Sequence, residues 1–169
     1  MKFRLTLLAM VSAALLAANG AAAFVDPPAP GTWKSLTQCL TNGAMTQSSG
    51  QYLRFAWGSL TEAQAYNFLD AQSWTMTLTG PGPGGNTATY GQNTGDTSAF
   101  TVPTRITQPN QNGGKPFWLT ALFFPINMPT GTYTLSLTTS LAKTSFDGTT
   151  VYQAGTSWFT VSGCTLIVT

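Results

Sequence analysis

An all-β fold, an immunoglobulin-like β-sandwich with one short helix connecting two early strands, is what three features of this sequence predict. Apolar and polar residues alternate with period two in several separate runs. Glycine-, proline- and asparagine-rich turns separate those runs. Helical periodicity is confined to one stretch near residues 59–72.

The chain opens with MKFRLTLLAMVSAALLAANGAAAF, in which Lys2 and Arg4 precede an apolar run from Leu5 to Ala18 and the small residues Ala21, Ala22 and Ala23. That order of charge, apolar run and A-x-A site predicts a secretory signal peptide over residues 1–23. The run is shorter than the roughly 20 residues that cross a bilayer as a helix, and no cysteine follows it to carry a lipid. Cleavage after Ala23 leaves residues 24–169, read as one β-sandwich domain that is secreted, whether extracellular, periplasmic or at the cell surface.

Without Lys2 and Arg4, five bases (Lys34, Arg54, Arg105, Lys115, Lys143) balance five acids (Asp26, Glu62, Asp70, Asp96, Asp147). No basic cluster remains to hold phosphates, so nucleic acid is not an expected partner. The same lack argues against an electrostatic membrane anchor, and no stable membrane insertion is expected once the signal is cleaved. Cys39 and Cys164 are the only cysteines; in an oxidising compartment they are expected to form a disulfide, the alternative being two free thiols.

In QYLRFAW, Leu53, Phe55 and Trp57 are expected to point inward. In SWTMTLT the inward set is Trp74, Met76 and Leu78; in TYTLSLTTSL it is Tyr133, Leu135, Leu137 and Leu141. PFWLTALFFP is apolar on both faces, with Phe117, Leu119, Ala121 and Phe123 on one and Trp118, Leu122 and Phe124 on the second; Phe68 and Leu69 of the short helix are the expected cover for the second face, the alternative being another subunit. The 80–115 region has short strands at TATY and SAFTV and is a reasonable place for a binding loop. The Asp147-Gly148 pair fits a type I′ hairpin turn. Across WFTVSGCTLIV the inward parity changes at Ser162-Gly163, which predicts a β-bulge that turns Cys164 inward.

The helix segment SLTEAQAYNFLDAQ carries Ser59 and Glu62 in a capping-box spacing, and the apolar stripe Ala65, Phe68 and Leu69. Glu62 and Asp70 invite an acid/base reading, but eight residues of helix separate them by about 12 Å along the axis, beyond glycosidase carboxylate spacings. Asp70 at the helix C-terminus needs a nearby cation, Arg54 or Lys143.

The chain has no histidine, which removes the Ser-His-Asp and Cys-His constellations and the usual zinc sites. No catalytic residue and no cofactor or metal is expected, although Asp96 and Asp147 could contribute to a calcium site. The candidate ligand-binding residues are Trp158, Trp118 and Tyr90. Trp158 is placed by alternation on the outward face beside Thr160 and Ser162, where a flat indole among hydroxyls would suit a sugar ring.

The connector from Trp57-Gly58 through AQAYNFLDA, the strand PTGTYTLSL at 129–137 and the segment SGCTLIV together resemble uncharacterised secreted bacterial immunoglobulin-like β-sandwich domains. The resemblance spans most of residues 50–168 and implies fold and export only. The expected role is therefore a secreted or cell-surface interaction or structural domain, working on a protein or glycan partner; the alternative is a carbohydrate-binding module using exposed aromatics.

Overall fold

The computed structural model describes residues 24–80 and 87–169; the signal-peptide expectation for residues 1–23 lies outside them. In chain order the elements are β1 (Trp33–Ser35), α1 (Thr37–Asn42), β2 (Ala44–Gln47), β3 (Tyr52–Ser59), α2 (Glu62–Ala71), β4 (Gln72–Thr79), β5 (Thr87–Gln92), β6 (Thr104–Ile106), β7 (Phe117–Pro125), β8 (Gly131–Leu141), β9 (Ser145–Phe146), β10 (Val151–Tyr152) and β11 (Thr160–Val168). They build an all-β sandwich. One sheet has the order β1-β3-β7-β6 and the other β2-β11-β8-β4-β5, while β9 and β10 form a separate hairpin. The pairs β1–β3 and β2–β11 are parallel and the remaining pairs antiparallel.

Alternation decides which side chains meet between the sheets. Leu53, Phe55 and Trp57 of β3, with Leu122 and Phe124 of β7, face Trp74, Met76 and Leu78 of β4 and Leu135, Leu137 and Leu141 of β8 across one continuous core. The inward sets expected for these strands are all buried.

In β11 the register against β8 jumps from Val161↔Leu137 to Cys164↔Leu135, so Ser162 and Gly163 oppose Ser136 alone. Gly163 takes φ +69°, a conformation that a side-chain-bearing residue adopts at a cost, and its N–H donates to Ser136 Oγ. The bulge aims Cys164 into the core, where it is bonded to Cys39 of α1 with Cα atoms 5.5 Å apart. The link closes a loop of 125 residues and ties the segment between β1 and β2 to the last strand.

Helix α2 plugs one end of the sandwich. Ala65, Phe68, Leu69 and Ala71 are buried, and Phe68 stacks on Trp57 with centroids 4.2 Å apart. The expected Ser59/Glu62 capping box is displaced by two residues. Strand β3 runs on through Ser59, whose buried hydroxyl accepts the Trp57 Nε1–H at 2.9 Å, so the helix begins later. Thr61 is the N-cap: its Oγ1 accepts from Gln64 N–H while Gln64 Oε1 accepts from Thr61 N–H. Glu62 is left as an exposed residue of the first turn. Asp70, at the other end, lies 3.7 Å from Lys143.

One further expectation is corrected. The Asp147-Gly148 turn is not type I′, because among its residues only Gly148 has a positive φ. Asp147 Oδ1 instead accepts the N–H groups of Thr149 and Thr150, both at 2.7 Å, in an Asx-type loop between β9 and β10. Phe68 and Leu69 lie between the sheets in one core with Leu122 and Phe124, so that face of β7 is covered by the short helix as expected, and its outer face is left to other segments.

Candidate functional site

The outer face of β7 carries Phe117, Leu119, Ala121 and Phe123, and β3 supplies Arg54 to the same side, between the inward Leu53 and Phe55. Such an apolar outer face needs cover. The segment before β1 supplies part of it. Val25 N–H donates to Phe100 O beside β7, and Tyr52 N–H donates to Thr32 O beyond β3, so the chain between them crosses the sheet over Tyr52 and Phe123. Three of its residues, Pro27, Pro28 and Pro30, have no N–H to donate, so the segment crosses without joining the ladder.

What the arm leaves open is a groove of about 480 Å³, rimmed by the prolines on one side and by residues 101–108 on another, with Leu119, Ala121 and Phe123 in its floor. Cavities of about 300–1,000 Å³ with mostly apolar linings are the usual size of small-ligand sites. Val102, at its rim, is 47 % exposed.

Trp33 and Arg54 close one part of the groove. The indole of Trp33 meets Phe123 edge-on at 6.1 Å, and the Arg54 guanidinium lies 4.6 Å from the centre of the Trp33 ring. Burial lowers the pKa of Arg54, but it stays charged at physiological pH. Among the described residues the ion pair within 4 Å is Lys143–Asp70, so Arg54 has no carboxylate partner. No hydrogen bond from its side chain to the described protein is found either.

The three aromatic residues predicted as binding positions do not come together there. Trp158 is not an outward platform. It precedes β11, and Thr139 Oγ1 donates to Phe159 O at 2.7 Å and accepts from Phe159 N–H at 2.9 Å, holding this stretch by a side chain where alternation assumed a continuing strand. Its half-buried indole packs against Phe55, Trp57 and Phe68 with centroids 5.1, 5.3 and 4.7 Å away. Trp158 Nε1 is buried without a hydrogen-bond partner. Trp118, half-buried, pairs with Ser59 and Arg105 on the neighbouring strands. Tyr90 sits on the edge strand β5 and packs on Phe124 at 4.7 Å, beside a separate cavity of about 360 Å³.

The two aspartates considered for calcium are occupied locally. Asp96 Oδ1 accepts from Ser98 N–H at 2.9 Å and from Gln92 at 3.3 Å, and Asp147 closes its own loop. Burial raises the Asp147 pKa, but the N–H groups of Thr150 and Thr149 and the hydroxyls of Thr149 and Tyr152 outweigh it and hold the carboxyl below its ordinary value. Among the described residues no three metal-ligating side chains cluster. No described helix is long and apolar enough to cross a membrane.

From the sequence no binding role falls to Trp33 or the proline arm, and Arg54 enters only as a counter-ion for Asp70, a place that Lys143 takes. The signal was present in β7, whose two apolar faces demanded two covers, and in Arg54, an isolated charge inside an alternating strand. No family model, curated protein or solved structure matches the chain.

Proposed function

We propose that this chain is a secreted or cell-surface binding domain of immunoglobulin-like plan, without catalytic machinery, which takes its ligand in the outer-face groove of the β1-β3-β7-β6 sheet. The observation that carries this reading is the combination of an apolar concave floor, a rim built by a proline-rich arm and a single unpartnered cation. A surface patch that served only packing would have no need of the cation.

The immunoglobulin-like part is supported by strand order. β3, β7 and β6 stand in the positions of B, E and D, and β11, β8, β4 and β5 in those of G, F, C and C′. Tyr133, near the start of β8, donates its hydroxyl to Pro129 O four residues upstream at 2.8 Å, in the manner of a tyrosine corner. Two features depart from that plan: β1 runs parallel to β3, and the disulfide joins α1 to the last strand instead of linking the B and F positions, here β3 and β8.

Val102→Trp tests the groove, because an exposed rim position tolerates the larger ring while the indole narrows the opening. Purified wild-type protein immobilised on a support is expected to retain a component of the surface extract of the producing cells, and the folded variant to lose it. Equal retention by both proteins would place binding elsewhere on the domain. A polysaccharide panel run on the same two proteins checks the glycan alternative: binding that survives Val102→Trp would favour that reading at another face.

A further inference from the structure

We infer that the groove is a site for a small organic acid, with an apolar body lying on Leu119, Ala121 and Phe123 and a carboxylate held by Arg54. This inference rests on the groove being the binding site and goes beyond it by naming the ligand class.

Charge complementarity argues for the acid. Arg54 is half-buried, and an arginine in that position normally spends its five N–H donors on carboxylates, carbonyls or water. Here its one protein contact of note is the face of Trp33. A contact with the ring face uses none of the guanidinium N–H donors in a hydrogen bond, and free paired donors suit a bidentate carboxylate. Asp26, the nearest acid in the arm, is exposed and borders a neighbouring cavity beyond Pro28 and Phe123, and it makes no ion pair with Arg54.

The remaining surface argues for the apolar body. Apart from Arg54 the floor and walls are dominated by prolines, aliphatic side chains and Phe123, with the hydroxyls of Thr101 and Thr104 and the amide of Gln108 at the side. Thr101 Oγ1 already accepts from Ala121 N–H at 3.1 Å. A sugar, with a hydroxyl on nearly every carbon, would leave most of its hydrogen bonds unmade against such a wall. The face of Trp33 on which a sugar ring could stack is shared with Arg54. A volume of about 480 Å³ fits a molecule of small-ligand size.

Isothermal titration of the full mature protein with decanoate and 4-phenylbutyrate, against decanamide and 4-phenylbutyramide, is the test. The wild type is expected to bind at least one acid saturably and about tenfold more tightly than its amide, since hydrogen bonds to a charged group are the stronger kind. Arg54→Gln is expected to bring acid and amide to the same affinity, and Val102→Trp to weaken both. Equal affinity for acid and amide in the wild type overturns the inference, and that comparison needs no variant to fold. Tighter binding of an apolar hexapeptide with a free C-terminal carboxylate than of either small acid overturns the small-molecule assignment. If neither acid nor amide binds while the surface component is still retained by the wild type and lost by Val102→Trp, the ligand class is wrong and the groove reading stands.

Discussion

The indole of Trp57 lies flat on the ring of Phe68, with centroids 4.2 Å apart and planes 4° apart. This contact joins β3 to α2, and Trp158 closes it from the side, edge-on to both rings. Two aromatic groups eleven residues apart and a third from near the end of the chain therefore seal one end of the core. Phe68→Ala is expected to destabilise the domain by about 3–5 kcal/mol, the range for removing a buried aromatic ring. Trp158→Ala should fall in the same range or slightly below, because its indole is only half-buried and leaves an unpaired Nε1–H. Chemical denaturation of the two variants checks this, and a Trp158→Ala loss under 1 kcal/mol would restore the exposed-platform view.

Thr61 and Gln64, and not Ser59 and Glu62, hold the start of α2. Thr61→Ala should cost about 1 kcal/mol. Glu62→Ala should cost only a few tenths, the loss of a charge–dipole interaction at an exposed first turn. Thermal midpoints of the two variants in parallel give the order, and the reverse order would return the cap to Glu62.

The Cys39–Cys164 bond closes a 125-residue loop. Loop entropy alone sets its contribution at about 4–5 kcal/mol, with native strain subtracting. The domain of residues 24–169 should show no free thiol before reduction. The double variant Cys39→Ala/Cys164→Ala should lower the denaturation midpoint by an amount corresponding to about 2–5 kcal/mol. Two equivalents of thiol reagent taken up by unreduced native protein would contradict the bond.

Asp147 and Tyr152 give the β9–β10 hairpin a two-sided pH response. The Asp147 carboxyl is held below its ordinary value, so its contribution is complete above about pH 4, near the unfolded value, and is lost as pH falls through the lower folded one. Burial raises the Tyr152 hydroxyl, and the charge and hydrogen bond of Asp147 raise it further. Its contribution is complete below about pH 10 and is lost as pH rises through the folded value. Asp147→Asn should flatten the acid limb of the melting profile, an outcome readable by scanning calorimetry from pH 2 to 6. An unchanged acid limb in the variant would assign it to other carboxylates.

Strand identity and facing were legible in the sequence because period two is a local property. Leu53, Phe55 and Trp57, or Leu135 and Leu137, declare their side without reference to any partner. The bulge was legible for the same reason, since Gly163 breaks the parity within its own strand. The misplaced features depend on neighbours distant in sequence. Trp158 was projected outward by extending β11 backward, whereas Thr139, twenty residues earlier, takes over the backbone of Phe159. The helix start moved because Ser59 answers to Trp57 as the end of a strand. The groove escaped notice because it needs three segments at once: the arm at 27–30, the β3 arginine and the rim at 101–108. Sequence alternation indicated that β7 had two apolar faces and pointed to the short helix for one, but it carried no information on which segment would cross the outer one.

Chemical-shift mapping of the ¹⁵N-labelled domain of residues 24–169 titrated with decanoate distinguishes the groove from every other surface of the domain. Saturable shifts are expected at the Trp33 indole, the Arg54 side chain and the amides of Val102, Leu119 and Phe123, with Tyr90, Asp147 and the Trp158 indole unmoved. Shifts centred on Trp158, Tyr90 or the Asp147 loop, with the groove resonances unchanged at saturation, would contradict binding on the outer face of the β1-β3-β7-β6 sheet.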